Sequence, residues 1–356
     1  MINKIIKRLS ATSTWAASTD MTPVDLPRDG LITEITIRAH VTATLTAAAY
    51  DDWFRRIIQN IKFEGDGGRA YLGMSGTQMS CVLSLWNEIT AHAPTLVSNG
   101  AGIALAAPDV ASATFDSIFK FHPGCNKSDP FDTSVVIPAA FLSMLQAKLT
   151  TTSNAVVDAA GLITAATFNY EVAVVQGSTA ELKALAVMSP VGSTLVYTHT
   201  ADYSDFSYDI DVPAGAWLRS IIARITDDTG ALVGRRKNDE VTGMKLKKPK
   251  SGDFVFESNI AELQHTMAQR FGCPGVCGDV GPIGAIATIR PAPAAVLSML
   301  PSGFVVIDLR MFGHPLYGLD LRGYQTGDLK LGLTIANYAA GDATTLYWDQ
   351  LLPIVF

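Results

Sequence analysis

Charge, cysteine and helical periodicity are all in short supply in this sequence of 356 residues. Charged residues make up 17% against 48% apolar, with a net charge of −6. A disordered, solvating chain needs the opposite balance. A general nucleic-acid binder needs a basic surface to neutralise phosphates, so no direct nucleic-acid partner is expected. The four cysteines, Cys81, Cys125, Cys273 and Cys277, are too sparse and uneven for a disulfide framework. Cys273 and Cys277 form a C-x3-C with no second ligand pair, which is not a zinc ribbon. MINKIIKRLS lacks the apolar stretch of a secretory signal. No window reaches the ~18 uninterrupted apolar residues of a membrane span. The expectation is a soluble or assembled protein made in the cytoplasm.

Catalytic signatures are missing too. The histidines, His40, His92, His122, His199, His265 and His314, form neither H-x-H nor H-x3-H, which speaks against a bicupin metalloenzyme. GDGGRAYLG (65–73) resembles a glycine-rich phosphate loop but meets neither the Walker A nor the dinucleotide spacing, so its glycines read as turn residues. No G-x-S-x-G elbow occurs. Asp227-Asp228 or Glu64 with Asp66 could hold calcium on a turn, although a hairpin turn wants Asp and Gly anyway. No catalytic residue, cofactor or metal ligand is predicted. The basic stretches GRRKNDE (234–240) and KLKKPK (245–250) read as solvated or ion-paired loops.

What is present begins with Ile2, Ile5, Ile6 and Leu9 at helical spacing, with Lys4, Lys7 and Arg8 on the other side. That predicts a short basic amphipathic helix, an arm over 1–20 suited to an anionic membrane or a neighbouring subunit. From LITEITIRAHVTATL onward the pattern alternates with a β-branched bias. Strands are expected in RAYLGMSG, SIFKFHPG, VVIPAAFL, LQAKLTTTS, ATFNYEVAVV, TLVYTHTADYSDFSYDIDVPAG, VTGMKLKKPKSGDFVFE and GFVVIDLRMFG, and short helices in LSLWNEITAH and NIAELQHTMAQRF. QGSTAELKALAVMSPVGS (176–193) reads as the linker.

The order then repeats. Trp53, Arg55, Ile57, Ile58 and Ile61 match Trp217, Arg219, Ile221, Ile222 and Ile225 without a gap. Glu88-Ile89 answers Glu262-Leu263, and Leu149-Thr150 with Ala159-Ala160-Gly161 answers Leu333-Thr334 with Ala339-Ala340-Gly341. The offset grows along the chain, as loop insertions would make it. The fold class is therefore all-β: a first roll over 21–177 and a second over 178–356, each an antiparallel sandwich with a short helix and long loops.

Two tandem β units, each with W-[FL]-R-x-I-I-x-x-I running to a glycine turn, resemble the double jelly-roll major capsid proteins of tailless icosahedral, membrane-containing viruses and bacteriophages. LPRDGLITEITIRAHVTATL is similar to the first strand of such proteins. The resemblance implies two eight-stranded antiparallel jelly rolls and a structural, non-enzymatic role. It implies a pseudo-hexameric homotrimer tiling a virion capsid, with penton and minor capsid proteins and an internal lipid membrane as partners. Ile2 to Leu9 would point inward, and the loops at 93–115, 176–210 and 272–292 would form the crown or the subunit contacts. The alternatives are a carbohydrate-binding or adhesin-type pair of sandwiches, which would need an exposed aromatic platform that the sequence does not display, or the bicupin.

Overall fold

In LQAKLTT (145–151) the buried residues are Leu145, Ala147, Leu149 and Thr151, every second position, as one covered face of a pleated strand requires. The same period recurs at Ile35, Ile37, Ala39, Val41 and Ala43. A computed structural model describes residues 2–45, 56–74, 96–98, 110–154, 162–227, 235–236, 240–248, 250–271 and 303–356. Among these, residues 2–192 with 352–356 form one compact unit and residues 193–271 with 303–351 form another.

The strands of the first unit are β1 (Asn3–Thr14), β2 (Val24–Asp25), β3 (Leu31–Leu45), β4 (Ile58–Gly65), β5 (Ala70–Met74), β6 (Leu96–Ser98), β7 (Val110–Phe121), β8 (Leu145–Thr151) and β9 (Leu162–Gln176). They are followed by helix α1 (Thr179–Leu185) and β10 (Met188–Pro190). One sheet has the order β1-β9-β3-β7, with the short β6 on its edge, and the other has the order β2-β8-β4-β5. The second unit contains β11 (Ser193–Thr198), β12 (Tyr203–Asp211), β13 (Trp217–Asp227), β14 (Arg235–Arg236), β15 (Val241–Lys247) and β16 (Phe254–Asn259). It continues with helix α2 (Ile260–Phe271), β17 (Phe304–Asp308), β18 (Leu319–Asp320), β19 (Lys330–Ile335) and β20 (Ala343–Pro353). Here the orders are β11-β20-β13-β17 and β12-β19-β15-β16.

With the short β6, β10, β14 and β18 set aside, each unit has eight principal strands, in the orders first-eighth-third-sixth and second-seventh-fourth-fifth. All of the ladders between these principal strands are antiparallel. That interleaving is the jelly roll. The core of each lies between its sheets. In the second, Ile221, Leu346 and Trp348 meet Met244, Leu246 and Leu333. In the first, Phe63 of β4 lies against Phe121 of β7 with ring centroids 5.3 Å apart.

Several expectations change. Ile2 to Leu9 are not helical: residues 3–14 are β1, paired with β9 from Asn3–Gln176 to Thr14–Thr167. Ile5, Lys7 and Leu9 are half-buried while Ile6 and Arg8 are exposed, a period of two. An eight-residue helix is marginal in water, whereas the edge of β9 offers a full ladder. The segment expected as an arm over 1–20 therefore opens with the first strand of the first roll, and LITEITIRAHVTATL is the third strand, not the first.

The linker and loop assigned to 176–210 contain α1, β10, β11 and most of β12. α1 carries a capping box, Ser178 Oγ accepting from the Glu181 N–H and the Glu181 carboxylate accepting from the Ser178 N–H. Its Leu182 is buried with Leu31, Val136 and Val175, which draws the first unit on to Gly192. VVIPAAFL is no strand: an isolated bridge joins Ile137 to Ile32, and a 3₁₀ turn follows at Ala139–Phe141. Pro138 has no N–H to extend a ladder.

The tandem organisation holds, but its register differs from the sequence match. Trp53 and Arg55, with the helix expected at 83–92 and most of the loops at 93–115 and 272–292, lie outside the described residues. Ile57 is buried in the turn before β4, and Ile58 and Ile61 are on β4, the fourth strand of its roll. Trp217, Arg219, Ile221, Ile222 and Ile225 are on β13, the third strand of the other. The topological counterpart of β13 is β3. By contrast, Leu149-Thr150 on β8 and Leu333-Thr334 on β19 occupy equivalent seventh strands.

Candidate functional site

Three polar groupings, the first two of them buried, are the places where chemistry would be sought. In the second roll His199 follows β11, Glu240 precedes β15 and Thr344 lies on β20. The His199 Nδ1 is hydrogen-bonded to Glu240 Oε1, and its Nε2 lies 2.9 Å from Thr344 Oγ1. A carboxylate, an imidazole and a hydroxyl in series have the connectivity of a nucleophilic triad. However, Glu240 and Thr344 are fully buried and His199 is only 1% exposed, so no substrate atom reaches the hydroxyl. The grouping works as a bolt: it joins the ends of β11 and β20 in one sheet to the start of β15 in the other.

The second grouping is Arg219 of β13 with Asp349 of β20. The guanidinium donates from Nε at 2.7 Å and from Nη2 at 3.1 Å, and the Ser220 hydroxyl donates to the same carboxylate at 2.9 Å. This is the bidentate fork that fixes both side chains in one geometry. Asp349 is opposite Ser220 in the ladder, so the ion pair pins the register of two central strands.

The third is the turn GDGG. Gly67 and Gly68 sit at φ +66° and +78°, the left-handed region glycine enters without penalty. Asp66 accepts from the Ser143 N–H (2.8 Å), the Ser143 hydroxyl (2.8 Å) and the Met144 N–H (2.7 Å). The Ser143 backbone and hydroxyl bonds, with that of Met144, hold the Asp66 carboxyl below its usual range. Glu64 is taken by Lys148 and Lys62, whose hydrogen bonds lower its pKa likewise. Carboxylates already filled by N–H donors and cations are a poor calcium cage, and Asp66 fastens the β4–β5 turn to the residues before β8. Among the described residues no group of three or more His, Cys, Asp or Glu could hold a metal ion.

In the basic stretch of the second roll, Lys245 is ion-paired with Glu257 and Lys250 with Asp328. An apolar groove of about 320 Å³ runs beside α2, where Phe312 stacks on Phe256 at 5.8 Å. Of its charged members, Arg270 and Asp308 are bonded to each other at 2.8 Å and Glu257 is paired with Lys245. The sequence offered Glu64 and Asp66 as a site, but the His199–Glu240–Thr344 and Arg219–Asp349 pairings were not visible in it, because their members lie far apart in the chain. The arrangements lock strands together and leave surfaces for packing.

No protein-family profile matches the sequence, and no curated protein matches it. The likeness is in the fold. The major capsid protein of STIV, the Sulfolobus Turreted Icosahedral Virus, superposes with a TM-score of 0.73 at 14% identity, covering 98% of this chain and 97% of that one. This chain is a double jelly roll. The major capsid protein P2 of bacteriophage PM2 shares that double jelly roll at TM-score 0.56 and 12% identity, over 99% and 98% of the two chains. VP54 of PBCV-1 does so at TM-score 0.60 and 11% identity, over 100% and 95%. No helix of the described residues is long and apolar enough to cross a membrane.

Proposed function

We propose that the chain is the major capsid protein of an icosahedral virion. Three copies, each contributing two rolls, give a near-sixfold homotrimer, and such trimers tile the shell. The observation that carries this reading is the end-to-end likeness to the STIV major capsid protein, both rolls included, over 98% of the chain. Physical sense agrees. A coat subunit needs rigid bodies whose strand orders are pinned, as the Arg219–Asp349 fork pins them, and flanks of low charge to bury against neighbours. The role is structural and requires no catalytic group or cofactor.

In this reading the subunit is made in the host cytoplasm and meets penton and minor capsid proteins at the shell's vertices. A lipid membrane lies beneath the shell. Ile2, just before β1, and Ile6 on it are 45% and 50% exposed, and these are the residues we assign to contact with that lipid or with a neighbouring subunit. Light scattering on the purified chain tests the proposal. The expected mass is that of three chains of 37.9 kDa, with hexagonal outlines in negative-stain micrographs. A monomer that persists at high concentration and forms no lattice would overturn it.

A further inference from the structure

The segment after β17 carries aromatic side chains on a tightly tied loop. His314 donates its backbone N–H to the Gly318 carbonyl at 2.7 Å, and Gly318 returns its N–H to the His314 carbonyl at 2.9 Å. Gly318 sits at φ +80°, and a Cβ there would lie 2.2 Å from the Leu218 carbonyl oxygen. Only glycine brings the loop so close to β13, and the loop is held rigid as a result. On it the His314 and Tyr317 rings stack in parallel, with centroids 4.7 Å apart and planes 7° from one another. Trp217 of β13 meets both edge-on, at 5.7 and 5.9 Å. The Arg322 guanidinium lies over the Trp217 ring at 5.1 Å.

Polar handles surround these rings. Asp320 holds Arg322 through two bonds, at 2.8 and 2.6 Å. The side-chain bond from Arg322 keeps the Asp320 carboxylate ionised below its usual range. The Leu316 N–H donates to His314 Nδ1 at 3.2 Å, so in the neutral ring Nε2 carries the proton and is a donor. His314 and Arg322 are exposed, and Trp217 and Tyr317 are half-buried. Aromatic rings for C–H surfaces, beside a bidentate carboxylate–guanidinium pair for hydroxyls, are the chemistry that recognises a sugar ring.

We propose that Trp217, His314, Tyr317, Asp320 and Arg322 form a carbohydrate-binding patch for a neutral oligosaccharide. This goes beyond a coat role and gives the subunit a means of attachment to glycans. The test uses the full chain with chitotetraose, maltotetraose and mannotetraose as probes, read by saturation-transfer NMR. Transfer to at least one probe is expected. That affinity should fall about tenfold or more in His314→Ala and in Asp320→Asn, the loss of one stacking or paired-bond contact, and persist in Val196→Ser on β11. Unchanged circular dichroism in each variant shows that the fold is kept. Three results would overturn the proposal: no transfer from any probe, transfer that both variants leave intact, or variants that alter only the oligomeric mass, which would make the patch a protein contact.

Discussion

His199 and Glu240, 41 residues apart, are hydrogen-bonded to each other in the core of the second roll, with both side chains sealed from solvent. Removing one partner of a buried, bonded pair strands the other, at a cost of about 3 kcal/mol. His199→Ala and Glu240→Ala should each lower unfolding free energy by that amount in urea titrations. Thr344→Val, which removes only the outer bond, should cost about 1 kcal/mol.

The Arg219–Asp349 fork should show the opposite of additivity. Each single change, Arg219→Met or Asp349→Leu, leaves a buried charge and should cost about 3 kcal/mol, whereas the double variant should cost clearly less than the sum. A double-mutant cycle by chemical denaturation measures the coupling.

Gly318 and Gly215 both have positive φ, at +80° and +84°. A Cβ at Gly215 meets nothing within 4 Å, while at Gly318 it would strike the Leu218 carbonyl. Gly215→Ala should cost about 1 kcal/mol, the left-handed penalty alone. Gly318→Ala should cost about 4 kcal/mol, because backbone must move. Thermal melts of the two variants should separate plainly.

Acid should weaken the first roll through Asp132. Burial pushes its carboxyl up, but the N–H groups of Asn126 and Ser134, the Ser134 hydroxyl and the Cys125 N–H outweigh that and hold its pKa below 3.8. A depressed folded pKa means stability that is whole above 3.8 and drains away as the pH falls through the folded value. Asp132→Asn should therefore be less stable than wild type at neutral pH, with the gap narrowing below pH 3.8. Unfolding free energies measured from pH 6 to pH 3 would reveal a constant gap if the carboxylate were not responsible.

Deleting residues 2–14 should abolish soluble, folded protein. It would remove β1 from β9 and leave a long strand edge ready to pair with other chains. A deletion that kept the melting temperature would contradict the placement of β1 in the roll.

Strand character was legible where one face alone is buried, as in β8, and α2 was legible because Ile260, Leu263 and Met267 fall on one side. β1 was misread because Ile2, Ile5, Ile6 and Leu9 satisfy a helical template. Only the presence of β9, supplied more than 150 residues later, selects the strand. The tandem plan was legible and its register was not: buried strands draw on the same few residues, so Arg-x-Ile-Ile on β13 could be matched to a strand in a different place. The role of Arg219 was invisible because Asp349 is 130 residues away. The patch at Trp217 escaped notice for the same reason, since the rings that meet it are on the loop at 314–317.

The pairing of each roll's first strand with its last has a consequence for synthesis. Asn3 waits for Gln176, and Ser193 waits for Trp348. Such long closures make folding slow, and chains fold from the N-terminus as they emerge. A ribosome halted midway through the second roll would display a first roll with all eight strands in place. Beside it would hang a second roll whose β11 and β13 still lack the central strand that joins them. That half-made roll is the species a chaperone would have to shield.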